Sequence, residues 1–404
     1  MPSPKLLRMS PYRMICLIGF FAVSSFSLLS PILSLFAKDF VKATIVEIGI
    51  ITSAFFIASA AVKIPLGVFG GGSRTPILFA ISLLLLMVLP YTYTLAYTPA
   101  VLAIIRIIHG IVFTLAVTVS LILAPITVPE HARDRAVATY SLLAGAGLVA
   151  GSALGTLSIA IGELRNVFYV ASILAFPGFI LGYTFTRRLY SIEKRWFLLD
   201  SPVQQDIGGK ARSVLTNRMF LIAFLACISY FFAFGALLAY APLYATQHLH
   251  LPYVAVASVF FGCYAATALT RLPLKRLISR WKYGKEMLTF AAQVLAVVLA
   301  LVASLGLHPT VFALAVVLFG VSQGVIYPVG AMMASETLKP SEHFLANSLY
   351  LVAWDLGLAL GPVLTAVIAS TQGILSALAT SSILPAVSSV TLVYAVLAKA
   401  RKNR

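Results

Sequence analysis

A few ionisable residues stand inside long apolar runs of this sequence, and they are the ones that could do chemistry. Arg106 lies several residues within a run, and Asp355 is the only carboxylate deep inside one. A charge at mid-bilayer costs at least ~2.5–3.5 kcal/mol on insertion scales, so such residues should face a wet cavity or a partner and are functional by default. Asp355 is the best candidate for binding and releasing a proton; the competing reading is a fixed ion pair, with Arg106 or Lys63 as partner. Arg106 reads as a substrate or proton-coupling residue, or as an anchor to backbone carbonyls. His109, one helical turn on, suits a proton relay or a neutral hydrogen bond in a helix interface. Glu47 is the runner-up carboxylate; it also suits a solvated helix N-terminus.

Other chemistries find little support. His131 with Glu130 and Asp134, and His343 with Glu342, lack convincing metal-ligand spacing. No glycine-rich phosphate loop is present. Cys16, Cys227 and Cys263 all fall in apolar runs and read as small buried residues. The chain is therefore not expected to be an enzyme, and no metal or cofactor is implied.

The elements that must position these residues follow from composition. Of 404 residues, 60% are hydrophobic and 10% charged, with a mean hydropathy of +0.99. A water-facing surface needs roughly 25–35% charged residues. This excludes a soluble enzyme, a disordered chain and, despite the net charge of +17, a nucleic-acid-binding domain. A membrane span needs ~20 apolar residues. Twelve all-α spans are expected, at roughly 12–37, 45–70, 76–95, 99–127, 137–161, 165–186, 219–245, 253–273, 286–306, 309–335, 343–370 and 375–398. The first is too long for a signal-peptide core, so it reads as an uncleaved span.

Basic residues set the orientation. With the N-terminus in the cytoplasm, 24 of the 29 Lys and Arg fall on cytoplasmic segments, and only Lys38, Lys42 and Arg165 on the outer loops. Lys63 lies near an inner end and Arg106 within a span. Both termini are thus expected in the cytoplasm of a plasma (inner) membrane, and the lipid bilayer is the expected surrounding. The stretch from Thr186 to Arg218 is the only long polar segment. It divides the chain into an N-terminal six-helix half (1–186), a cytoplasmic central loop (187–218) and a C-terminal six-helix half (219–404).

The halves repeat at an offset of 210 residues. Gly110 matches Gly320, Tyr140 matches Tyr350, Gly147 matches Gly357 and Gly151 matches Gly361. Parallel halves of this kind suit a transporter that rocks about a central site.

Three stretches resemble the major facilitator superfamily. Arg106-Ile107-Ile108-His109-Gly110 is similar to its Arg-x-x-Gln-Gly element, with His in place of Gln. Gly145 to Thr156, with Gly147, Gly151 and Gly155, is similar to the glycine signature associated with antiporters, Ser152 replacing its proline; Gly357-x-x-x-Gly361-Pro362 is the companion. Lys63-Ile64-Pro65-Leu66-Gly67 opens like the family's gating loop, and Arg271-Leu272-Pro273-Leu274 repeats it. Gly71 and Ser279 stand where the loop carries aspartate, so the resemblance does not extend to the family's inner-gate charge pairing. The resemblance implies two pseudo-symmetric six-helix halves, alternating access, and a central cavity lined by spans 1, 4, 7 and 10. It also links the arginine of span 4 to proton transfer.

Polar stripes mark candidate cavity faces. Ser24, Ser27, Ser30 and Ser34 recur at helical spacing in span 1, and Arg106, Gly110, Thr114 and Thr118 in span 4. Span 10 offers Gln323 and Tyr327, and span 7 offers Tyr230, Phe234, Leu237 and Tyr244. The serines fit helix packing and cavity equally well. The glycines of spans 5 and 11 read as close contacts between the halves. A mostly apolar cavity with few charges favours a small amphipathic or lipophilic solute, moved by proton-coupled efflux. The alternative is uptake of a nutrient or metabolite; a membrane-embedded enzyme is the remaining class. Expected partners are the solute and protons, with no nucleic acid, and the chain is expected to act as a monomer.

Overall fold

The computed structural model describes residues 9–69, 75–190, 207–280, 284–306, 308–339 and 342–402, and among them no strand occurs. Among the described residues twelve helices are long and apolar enough to cross a membrane. They are α1 (Pro11–Asp39), α2 (Ile45–Phe69), α3 (Thr75–Thr92), α4 (Pro99–Ile126), α5 (Arg133–Ile161) and α6 (Asn166–Tyr190) in the first half. The second half holds α7 (Arg218–Gln247), α8 (Tyr253–Arg271), α9 (Gly284–Ser304), α10 (Pro309–Ser335) and α11 (His343–Thr371), then α12 (Ile374–Tyr394). A short helix, Ile207–Thr216, lies in the connection between the halves.

Local sequence sets the ends. Ser10 accepts from the Arg13 N–H with Pro11 opening α1, and Thr98 accepts from the Val101 N–H with Pro99 opening α4. Asn217 caps α7 in the same way. A side-chain acceptor satisfies an otherwise orphan N–H, and proline tolerates the first turn because its missing donor is not needed there. Inside α1 the turn at Ser30, Pro31 and Ile32 interrupts the helix, because Pro31 has no N–H to donate. Gly373 (φ +92°) makes the reversal from α11 into α12, a left-handed conformation that favours glycine.

The outer surface is more apolar than that of a soluble protein, and polar residues lie within the mostly apolar interior. Ile161, Ile173, Val390 and Leu364 are largely exposed, whereas Ser24, Ser25, Thr289, Gln293 and Asp355 are buried. Lipid is as apolar as leucine, so burial of oil does not hold these helices together; close backbone approach and internal hydrogen bonds do. The molecule is an integral, multi-pass membrane protein. Its short connections make successive helices antiparallel. We call the side where α1 begins the terminal face and the other side the distal face.

The 210-residue repeat survives as geometry. Tyr140 of α5 donates to the Val117 carbonyl of α4 (3.0 Å), and Tyr350 of α11 donates to the Ile326 carbonyl of α10 (2.7 Å). Gly110 lies on the Phe55 carbonyl of α2, and Gly320 on the Cys263 carbonyl of α8. The glycines of α5 and α11 correct an expectation. A Cβ at Gly147 would stand 2.6 Å from the Phe20 carbonyl of α1, Gly151 abuts the Ser24 carbonyl, and Gly155 faces Leu28. A Cβ at Gly357 would stand 2.6 Å from the Ile228 carbonyl of α7, and Gly361 abuts the Phe232 carbonyl. These glycines seat α5 on α1 and α11 on α7, each within its own half. They do not join the halves.

The halves meet instead through α2 against α11 and α5 against α8. Crossing contacts run from the distal face inward. Tyr253 donates to Asp39 (2.6 Å), Ser53 donates to the Ala359 carbonyl, and Gly49 fits beneath Tyr240 and Pro362.

Candidate functional site

Below these distal contacts, toward the terminal face, lies a cavity of ≈ 190 Å³ between the halves. Its walls come from α1, α2, α4 and α5 of one half and α7, α8, α10 and α11 of the other. Spans 2, 5, 8 and 11 therefore join the four expected from the resemblance. Most of the wall is apolar: Phe26, Phe55, Phe56, Phe113, Phe234 and Trp354 are aromatic faces within it. Trp354 stacks on Phe231 (4.6 Å between centroids) and takes Tyr327 edge-on (4.6 Å), which fixes its ring. On α5 the cavity is lined by exposed Ser141 beside buried Tyr140.

Three charged side chains line this cavity: Lys63, Asp355 and Arg271. Lys63 Nζ stands 2.7 Å from Asp355 Oδ2, joining α2 to α11 across the halves. Ser59 donates to the same Oδ2 (2.7 Å), and Thr114 of α4 donates to Ser59 (2.6 Å). The carboxylate is thus the end of a chain of donors, and its residue is only 3% exposed. A buried ion pair is costly to assemble and costlier to break on one side only, so its two members act as a unit.

Arg271 ends α8 and projects against α5, where a Cβ at Gly145 would stand 3.1 Å from its Nη1. Its guanidinium lies over the Tyr327 ring (5.5 Å to the centroid). Its Nε is buried with no hydrogen-bond partner in the protein. Gln323 shares this wall and spends its amide oxygen on Thr267 (3.1 Å).

The candidate residues separate into those at the cavity and those outside it. Asp355, Ser30, Thr118, Gln323 and Tyr327 border it. Thr114 stands one layer behind, acting through Ser59. Ser27 donates to the Gly147 carbonyl and belongs to the α1–α5 seam. Ser34 is buried in the distal part of α1, its hydroxyl without a protein partner. Tyr230 donates to the Phe319 carbonyl and ties α7 to α10 (2.9 Å). Tyr244 stacks on His248 near the distal end of α7. Pro362 supplies the carbonyl that accepts from Tyr240 (2.7 Å).

Arg106 and His109 form a separate cluster toward the distal end of α4. The Arg106 guanidinium sits 4.3 Å from the Phe55 ring centre, with Nε 3.5 Å from the Ile51 carbonyl, so it clamps α4 onto α2. His109 Nδ1 shares a hydrogen bond with Tyr93 Oη (2.8 Å), and its Nε2 has no protein partner. Glu47 lies far from the cavity. Its Oε2 accepts from the Thr44 N–H and hydroxyl (2.7 and 2.8 Å), while Thr44 Oγ1 accepts from the Glu47 N–H. That reciprocal box starts α2.

Ser59 and Trp354 are additions of the structure; of the two partners weighed for Asp355 it pairs Lys63, and it gives Arg271, quoted only in the gating-loop repeat, a place in the cavity wall. Lys63 and Arg271 carry a legible signal: each precedes an apolar residue, Pro and Leu at the end of an apolar run. Ser59 and Trp354 carry none, since small polar and aromatic residues are common across such helices. Of the proposed gating loop, residues 70–74, including Gly71, lie outside the described residues, as do residues 191–206 of the central loop. Ser279 lies in the short helix Leu274–Arg280, donating to the Arg276 carbonyl (3.0 Å).

Comparison with known proteins agrees with this geometry. The chain superposes on the nucleoside transporter NupG, with a TM-score of 0.67, 15% identity, and coverage of 96% of this chain and 99% of that one. It superposes equally on a bacterial homologue of the human lysosomal transporter Spinster in an inward-facing, unoccupied conformation. There the TM-score is 0.69, identity 15%, and coverage 99% of this chain and 96% of that one. At such identities the likeness is one of fold. No curated protein matches the sequence. The family model of the Major Facilitator Superfamily matches residues 15–325, about three quarters of the chain. With twelve spans in two repeated halves around one cavity, the chain belongs to the Major Facilitator Superfamily, whose members are transporters working by alternating access.

Proposed function

We propose that the protein exports a small amphipathic solute from the cytoplasm by alternating access, coupled to proton entry. In this reading both termini are cytoplasmic, the membrane is the plasma (inner) membrane, residues 187–218 connect the halves on the cytoplasmic side, and the monomer is the working unit. The 24-to-3 division of basic residues supports that orientation. It makes the terminal face cytoplasmic, so the distal contacts close the cavity to the outside.

The observation that carries the reading is the Lys63–Asp355 pair. Among the described residues it is the ion pair between the halves at the cavity wall, 2.7 Å long, with Asp355 buried and Lys63 partly exposed. Protonating Asp355 removes the charge that holds Lys63 and frees α2 and α11 to separate. Arg106 and His109 support the scaffold at the α2–α4 seam and stay outside the proton path.

The test is proton movement in proteoliposomes loaded with a pH-sensitive dye, using lipophilic cations, neutral drugs, sugars and organic acids in turn. We expect solute-triggered proton flux in the wild type, none with Asp355→Asn, and solute exchange preserved in that variant. Unchanged uphill transport by Asp355→Asn would remove Asp355 from coupling. Chemical conversion of a solute would reject transport as the function.

A further inference from the structure

The two crossings between the halves are related by the repeat, yet only one of them is neutralised. Within α5 and α11 the 210-residue offset holds for Tyr140 and Tyr350, Gly147 and Gly357, and Gly151 and Gly361, each pair making the same kind of contact. The same offset pairs Asp355 with Gly145. Lys63 on α2 meets Asp355 on α11; Arg271 on α8 meets Gly145 on α5. One cation faces a carboxylate, and the other faces the place where the repeat has none.

Among the described residues no acid pairs with Arg271, and its Nε is buried without a protein partner. Arg271 stands at the end of α8, where a topology marker would stand, yet its side chain also lines the cavity. The Tyr327 ring covers the guanidinium face, which leaves the N–H edge as the donor surface. Planar N–H edges match carboxylate and phosphate oxygens two at a time. With Asp355 already held by Lys63, the described lining of the cavity carries one further positive charge, Arg271, among apolar walls. Its ≈ 190 Å³ is below the ~300–1,000 Å³ typical of drug-sized ligands. That suits a small soluble molecule better than a two-chain membrane lipid.

We propose that Arg271 is the anion-binding residue of this cavity, and that the solute is a small organic anion. Its carboxylate or phosphate head sits on the guanidinium edge between α8 and Gly145 of α5, and its apolar body lies against Tyr327, Trp354 and Phe234. This names the solute class for the transporter proposed above and rests on that reading only for what happens after binding.

Binding is measured on the full-length protein in nanodiscs, with radiolabelled 4-phenylbutyrate as the probe. Unlabelled 2-phenylethyl phosphate, 4-phenylbutanol, 4-phenylbutylamine and lysophosphatidate serve as competitors. The phosphate is expected to compete like the carboxylate, and the alcohol and amine about tenfold or more weakly, as loss of a charge-assisted hydrogen bond implies. Arg271→Gln should abolish the preference for anions. Gly145→Asp supplies the acid the repeat lacks, so it should pair with Arg271 internally and abolish anion binding in a protein whose fold retains its arginine. Gly145→Asn, adding similar bulk without charge, should weaken binding yet keep the preference.

Equal affinity for anion and alcohol in the wild type would overturn the proposal. So would an anion preference surviving both Arg271→Gln and Gly145→Asp, or the absence of saturable binding by either soluble anion. Displacement by lysophosphatidate where 2-phenylethyl phosphate fails would make the site a lipid-headgroup site instead. Anion-selective binding without any solute-driven proton flux would sink the exporter and leave the binding site intact.

Discussion

The two halves are alike where helix touches helix and unlike where helix faces the cavity. On the shared seams the residues match: glycine on carbonyl in α5 against α1 and in α11 against α7, tyrosine on carbonyl in α5 against α4 and in α11 against α10. At the crossings the match fails. Asp355 answers Lys63, while Gly145 stands before Arg271. The difference has a physical origin. A seam with a backbone carbonyl in the position of a side chain admits almost nothing but glycine, so it constrains both copies equally. A cavity wall has open space in front of it, so its residues are free to diverge toward a ligand on one side and a lock on the other.

The comparison can be broken first at the seams. Gly151→Leu and Gly361→Leu place a side chain into the Ser24 and Phe232 carbonyls. Backbone cannot yield as a flexible side chain does, so each should cost more than the ~1–3 kcal/mol of ordinary overpacking. Loss of monodisperse protein in size-exclusion chromatography, equal for both copies, is the expected result; normal turnover would mean that these faces do not pack as described. Next comes the neutralised crossing. Lys63→Asp should abolish solute-driven proton flux, and the exchanged pair Lys63→Asp with Asp355→Lys should recover part of it. Failure of the exchange to improve on either single change would show that the two act separately.

Smaller effects sharpen the likeness of the halves. Tyr140→Phe and Tyr350→Phe each remove a side-chain donor from a helix carbonyl, at about 1 kcal/mol. Matched falls in thermal stability would support equivalent roles; a loss confined to one half would not. The smallest effect lies outside the membrane. Glu342 accepts from the Lys339 N–H (3.0 Å), and that bond, followed by one with Ser213, holds its carboxyl below the ordinary carboxylate range. A lowered folded-state pKa gives stability that is present above the ordinary value and fades as pH falls through the lowered one. The melting temperature of Glu342→Gln should therefore trail the wild type near neutrality and converge with it in acid. A gap independent of pH would show that the carboxylate charge contributes nothing.

Some residues carry two readings from sequence alone, and the contacts they make are decided by the fold. Glu47 attracts attention as a carboxylate at a span end, yet Thr44-x-x-Glu47 already spells a capping box, and the box is what it forms. Arg106 is costly in lipid, so it reads either as a functional residue or as an anchor to backbone carbonyls; the structure sets it against the Phe55 ring and the Ile51 carbonyl, outside the cavity lining. Periodicity names a face of a helix, and it leaves open whether that face meets a neighbour or the cavity. Hence Ser27 lies in a seam and Ser30, three residues later, in the cavity wall.

Hydropathy is a local sum over ~20 residues, so sequence by itself determined the twelve spans and the all-helical class. The 210-residue spacing of Gly and Tyr determined the two repeated halves in the same way. Which charges meet is a different kind of fact. Ser59 and Asp355 are 296 residues apart, and Lys63 and Arg271 end equivalent apolar runs. Only the rotation of α2, α5, α8 and α11 about their axes, set by packing along their whole lengths, decided that one cation would find a carboxylate and the other a glycine.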